Sequence, residues 1–376
     1  MSAKRPPLAH VAAFLLAALV GYKPQSDVLY DESLASARDT TRSDLPRTWV
    51  GLALRNFAAQ DWVVTVYLFV FFVAVALGSG PEKSVAILWM VTDLTVVLTV
   101  LLVVRSGLLK PGLLSGMLYR LALFGAVLGS FFQFQYLLPT ASTRSLDAQI
   151  YALDLRIFGF EPSVSWDRFV TPGTTEWFAF FYYGYFFLLA AHVFPFMLFG
   201  RDQKLLGEFS LGIISVFCVA HVTYLAVPGY GPYAYLAPHF QHQLSGPYWW
   251  RLVKETVDAV DGRARTDIFP SLHTAAPTFL ALFSFRHRRE RPFCFTWMPM
   301  AFFVTQIILA TMFLRWHYLI DICAGLTLAS IGVVFAALAS RWEIAWRRAR
   351  GVPPVFTPLR MPQGVREWWA RRQPTQ

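Results

Sequence analysis

Long, almost uncharged apolar blocks constrain this chain more than any motif does. They stand at 62–79, 85–104, 113–138, 175–199, 205–227, 294–314 and 318–340, with a shorter one at 271–286. A bilayer's hydrocarbon core is about 30 Å thick, so a helix rising about 1.5 Å per residue needs roughly 20 apolar residues to cross it. No water is present there to satisfy backbone polar groups, and a helix satisfies its own. With 56% hydrophobic and 15% charged residues and a mean hydropathy of +0.45, the 376-residue chain is too apolar for an ordinary soluble domain. The expected fold is all-α and polytopic, with eight membrane spans.

The segment LAHVAAFLLAALVGY at 8–22 follows Lys4 and Arg5. It has the charged start and short apolar stretch of a signal peptide, but no small-x-small cleavage site follows. It reads as an interfacial or anchoring helix, with a cleaved signal and a true span as alternatives. Residues 23–60 are polar and mixed in charge, with one amphipathic stretch near 47–58.

Net charge is +10, and the excess is local: RHRRERP at 286–292 and the tail from Arg341 to Arg372 hold most of it. Beside spans, such clusters read as cytoplasmic flanks touching anionic lipid rather than as nucleic-acid sites. Arg105 with Lys110, Arg201 with Lys204, the 286–291 cluster and the tail all agree on one parity. That parity puts the loops 140–174 and 228–270 outside. Cys218, Cys294 and Cys323 lack paired spacing, so neither a disulfide nor a metal framework is expected.

Two histidines then lie at one depth, at the extracytoplasmic ends of two spans. They are His273 in TDIFPSLHTAAPTFLALFSF and His317 in FLRWHYLIDICAGL. Ionisable groups in spans are costly and mark function. His317 and Asp321, four apart, share a helix face. A carboxylate there holds one ring nitrogen and leaves the other free to attack an electrophile. Pro270 and Ser271 open the other helix, whose free first-turn amides and positive dipole end suit a phosphate. His273 in that turn suits a general acid. Arg263, Arg265 and Arg315 flank these motifs as candidate phosphate ligands, and Tyr230 lies in the preceding outer loop.

These residues resemble the type 2 phosphatidic-acid phosphatase superfamily, which is related in fold to vanadium haloperoxidases. Pro270, Ser271 and His273 match its Pro-Ser-Gly-His motif, and His317 and Asp321 match its later Ser-Arg…His…Asp motif. The resemblance implies that His273 protonates the leaving group and that His317 becomes a phosphohistidine. Leu272 replaces the motif glycine, Thr311 stands where its arginine would be, and at the spacing of the first motif Lys254 is followed by Asp261. FPSLH, ATMFLRWHYLID, GYGPYAYLAP (229–238) and LDAQIYALDLRIFGFEP (146–162) resemble the inositol phosphorylceramide synthase (inositolphosphotransferase) branch more closely.

The expected organisation is an N-terminal interfacial or cytoplasmic segment (1–61), accessory spans (62–112), a catalytic six-helix membrane core (113–340) and a basic cytoplasmic tail (341–376). The expected activity is transfer of a phospho-head group from a phospholipid donor to a lipid alcohol, with hydrolysis as the runner-up. A lipid transporter and a non-catalytic lipid-binding protein are the readings from other classes. Neither a cofactor nor a metal is expected, since the site offers no carboxylate-rich set for Mg²⁺. Tyr182, Tyr183, Tyr185 and His192 read as a packing stripe, His221 as packing or a cavity wall, and Asp93 as a partner of Arg120.

Overall fold

The computed structural model describes residues 48–200, 202–260, 266–357 and 359. The expectations for 8–22, for Arg263 and Arg265, and for the tail beyond 359 lie outside the described residues. Within them the chain forms thirteen α-helices. They are α1 Trp49–Asn56, α2 Ala59–Leu77, α3 Lys83–Arg105, α4 Leu113–Ala141, α5 Asp147–Phe158, α6 Pro162–Ser165 and α7 Pro172–Phe199. There follow α8 Gln203–Ala226, α9 Pro232–Tyr235, α10 Trp249–Val260, α11 Leu272–Arg286, α12 Phe293–Phe313 and α13 Leu319–Ala349. The β-structure among the described residues is one isolated bridge, Gly229 to Asp267.

Seven helices, α2, α3, α4, α7, α8, α12 and α13, are long and apolar enough to cross a membrane. The eighth expected span, α11, has only 15 residues, about 22 Å at 1.5 Å per residue. Its start is covered by the protein around it. Thr266, Ile268 and Ser271 are buried, and the Ser271 amide donates to the Asp321 carbonyl at 3.1 Å. Non-helical backbone before a span is tolerated where protein covers it, and this segment is covered.

α11 packs against α7, α8, α12 and α13, so it is the inner helix of the half that carries both histidines. α8 is the other inner element: 83% of its apolar window is buried, against 17% for the lipid-facing α3. Close approach of α8 and α11 needs a small residue at Gly212, where an added Cβ would lie 2.4 Å from the Phe279 ring. α4 packs with α2 and α3, and these helices meet the rest chiefly through α8.

The two ends of the bundle differ in chemistry. At one end Arg105 Nε lies 2.6 Å from Asp61 Oδ2, and its Nη1 donates to the Val355 carbonyl. There too Arg347 binds Glu343 and the carbonyls of Asn56 and Phe57, so this arginine of the basic tail is structural. Arg286 pairs with Glu208 at 2.6 Å on the same side. At the opposite end the Ser79 amide donates to Thr140, and the two histidine motifs meet. The basic loops and the histidines therefore occupy opposite ends.

Asp93 does not pair with Arg120. It lies beside Gln133 of α4. The Arg120 guanidinium, three turns away, donates to the carbonyls of Gly116 and Thr357 and sits over the Phe356 ring. α3 and α4 run antiparallel, so mid-α3 meets mid-α4 and not its first turns.

Candidate active site

α13 begins at the site, and Asp321 organises the junction. Its Oδ2 accepts the Tyr318 amide at 2.9 Å, closing the first turn of the helix. The same oxygen lies 3.5 Å from His317 Nδ1, a charge contact longer than a formed hydrogen bond. Its backbone carbonyl accepts the Ser271 amide. One residue thus joins the two motifs. Asp321 is fully buried and His317 is 6% exposed.

α11 brings the second histidine. The His273 and His317 ring centroids are 6.4 Å apart, room for a tetrahedral group between them. Ser271 is fully buried, and its Oγ, His273 Nε2 and Asp321 Oδ1 have no hydrogen-bond partner. Buried polar atoms in that condition are expected to meet a ligand or solvent. The amides of Ser271, Thr274 and Ala275 are satisfied by the chain, whereas those of Leu272 and His273 are the free donors of a helix start.

Aromatic rings enclose the pair. Tyr182 stacks on His273 at 4.4 Å and 13°, and Tyr185 lies against it at 4.2 Å. Trp316 stacks on Tyr233 at 4.9 Å and 20°. Two members of the presumed packing stripe on α7 therefore touch the candidate acid. Sequence could show only their helical spacing, which fits either role. His192 instead donates from Nδ1 to the Leu188 carbonyl of its own helix. His221 lies away from the site: its Nδ1 is 3.1 Å from the Tyr67 hydroxyl, between α8 and α2.

Arg315 is brought near the site but used elsewhere. Its Nη2 donates to Asp167 Oδ1 at 2.8 Å and to the His242 carbonyl at 2.6 Å. Its guanidinium rests on the Phe240 ring at 3.9 Å. Its φ of +69° is a left-handed conformation that non-glycine residues rarely adopt. The Arg315 carbonyl accepts the Tyr233 amide, so the turn presenting His317 is fixed on both sides. Burial pushes the Asp167 carboxyl up, but His242, two amides and Arg315 outweigh it and hold the group below its ordinary value. Its stabilising contribution is therefore present near neutrality and lost as acid protonates it.

Tyr230 is not brought to the histidines. Its side chain is 45% exposed, and its amide donates to Asp147 Oδ2 at 2.7 Å. Asp147 also accepts the Gly231 amide and the Tyr318 hydroxyl. Asp147, Asp154 and Asp167 went unmarked in the sequence because their partners are backbone amides and side chains far along the chain.

A groove of about 440 Å³ opens between α8 and α13, lined mainly by apolar side chains. Phe269 and Pro270, just before Ser271, and Ile320, just before Asp321, form part of its wall.

The sequence model of the PAP2 superfamily matches residues 148–335, half of the chain. It spans α5 to most of α13, including both histidine motifs. No curated protein and no solved structure matches.

Proposed function

The chain belongs to the PAP2 superfamily, and from that premise we propose that it is a membrane enzyme moving a phosphate-linked head group from a phospholipid to a lipid alcohol through a phosphohistidine. The observation that carries this reading is the pair of facing histidines, 6.4 Å apart, tied through Asp321. His317 Nε2 attacks phosphorus while Asp321 steadies the charge gained at Nδ1. The bond from phosphorus to the diacylglycerol oxygen breaks, and His273 gives that oxygen its proton. The acceptor hydroxyl then passes its proton to His273, attacks phosphorus and breaks the P–N bond. His317 is regenerated. The 3.5 Å Asp321 contact tightens when the ring becomes charged, as such contacts do in a reacting complex.

Ser271 Oγ and the first-turn amides of α11 hold the phosphoryl oxygens, aided by the helix dipole. Arg263 and Arg265 remain candidates for the same task. Arg315, engaged by Asp167, and the exposed Tyr230 are not assigned to it. The basic loops lie at the opposite end, which by the positive-inside rule supports a site on the extracytoplasmic face, with anionic lipid at the basic loops.

The substrate class follows from the surroundings. An apolar groove has Phe269, Pro270 and Ile320, next to both motifs, in its wall, and Tyr182, Tyr185 and Trp316 keep the histidines among apolar walls. Such walls favour a membrane-borne hydroxyl over water. Inositol-phosphate transfer from phosphatidylinositol to ceramide or diacylglycerol, as in the inositol phosphorylceramide synthase branch, fits these features. In mixed micelles of phosphatidylinositol and either alcohol, purified protein should form more transfer product than free inositol phosphate. Hydrolysis unaffected by acceptor would make it a lipid phosphate phosphatase.

A further inference from the structure

Asp154 and Glu161 are buried acids with no part in the chemistry above. Asp154 on α5 is fully buried, and Glu161, just before α6, is 3% exposed. Asp154 Oδ1 accepts the Ile320 amide at 2.7 Å, and the Leu319 amide lies close enough to favour the same carboxylate. These are the first two residues of α13, and the next is Asp321. Glu161 Oε1 accepts the amide and hydroxyl of Ser163 at 3.0 and 2.8 Å. The remaining oxygens, Asp154 Oδ2 and Glu161 Oε2, are buried and have no hydrogen-bond partner, and the two carboxyls lie close enough for each to act on the other. Two carboxyls in such contact cannot both be ionised, so they share a proton.

We propose that Asp154 and Glu161 are positioning residues, a proton-sharing carboxyl pair that fixes the first turn of α13 and with it the relation of His317 and Asp321 to His273. This rests on the proposed role of His317. Deprotonation would set two charges face to face and drive Asp154 off the helix start. The titratable groups that the pair acts on are Tyr151, Tyr318, Asp321 and Cys323, with Tyr235 beside Tyr151 and Asp147 beside Tyr318; none of these is a cation. Burial first, and the adjacent Asp154 next, push Glu161 up to about 8. Because its folded value is raised, the pair's contribution is complete only below the ordinary glutamate value and is lost as pH rises from there through the folded value.

The test compares the intact wild-type chain with Glu161→Gln, Asp154→Ala and Asp154→Asn from about pH 6 to about pH 9, reading kcat, KM and the melting midpoint in detergent. Wild-type kcat and melting midpoint should both fall toward the alkaline end. Glu161→Gln, whose amide donates permanently, should keep kcat near neutrality within about threefold and flatten both falls. Asp154→Ala should lower kcat by about 10–100-fold with KM little changed, as a misplaced catalytic group does. Asp154→Asn, still able to accept from Ile320 and donate to Glu161, should recover most of it. Identical alkaline falls in wild type and Glu161→Gln, or full kcat in Asp154→Ala, would overturn the proposal. A wild-type protein that turns over no lipid phosphoester would instead contradict the assigned function, and the melting profiles alone would then decide the role of the pair.

Discussion

Asp321 is where a single atom change should tell most. Its side chain closes the start of α13 through Tyr318 and faces His317 Nδ1, while its carbonyl holds Ser271. Asparagine at 321 keeps an oxygen for the Tyr318 amide but cannot balance an imidazolium or impose its tautomer. Asp321→Asn should therefore melt near the wild-type temperature and lose kcat by about 10²–10⁴-fold. Activity within threefold of wild type would reduce Asp321 to a helix cap. The histidines and Asp321 were readable because polar groups at the ends of apolar runs, and a four-residue spacing, are visible in one dimension. The engagement of Arg315 was not readable for the converse reason: its flanking position suggested phosphate, and its partner Asp167 lies 148 positions earlier.

At the scale of elements, the site depends on how closely α13 crosses the start of α11. Gly325 makes the crossing possible, since an added Cβ would lie 2.7 Å from the Ser271 carbonyl and 3.1 Å from Thr274 Cβ. Gly325→Ala should force these helices apart, costing about 1–3 kcal/mol in a denaturation measurement and lowering kcat as the histidines separate. Gly129→Ala is the control. An added Cβ at Gly129 in α4 meets nothing within 4 Å, and alanine is the better helix former by about 1 kcal/mol, so stability should hold or rise. Equal losses in both variants would mean that the crossing is not tight. Seven spans could be read from apolar length alone, because lipid asks for little else. α11 could also be sized from its apolar run, 271–286 against Leu272–Arg286; what the run did not show is the buried segment 266–270 that leads into it, whose partners lie on other elements. The Asp93 and Arg120 pairing failed likewise, since it needs the relative heights of α3 and α4.

Across the whole molecule, the account joins one membrane orientation to one chemistry. A cysteine at exposed Pro238 should react with an impermeant thiol reagent in intact cells, and one at exposed Arg288 only after permeabilisation. The reverse would place the histidines in the cytoplasm. The covalent intermediate is the central claim. The most direct measurement is to mix the purified chain with phosphatidylinositol labelled in its phosphate, quench within a turnover and look for label on protein. The expected result is an acid-labile, base-stable phosphoprotein that wild type forms and His317→Ala does not, discharged faster when acceptor alcohol is present. Label retained at full level in His317→Ala, or turnover with no phosphoprotein at any quench time, would contradict it.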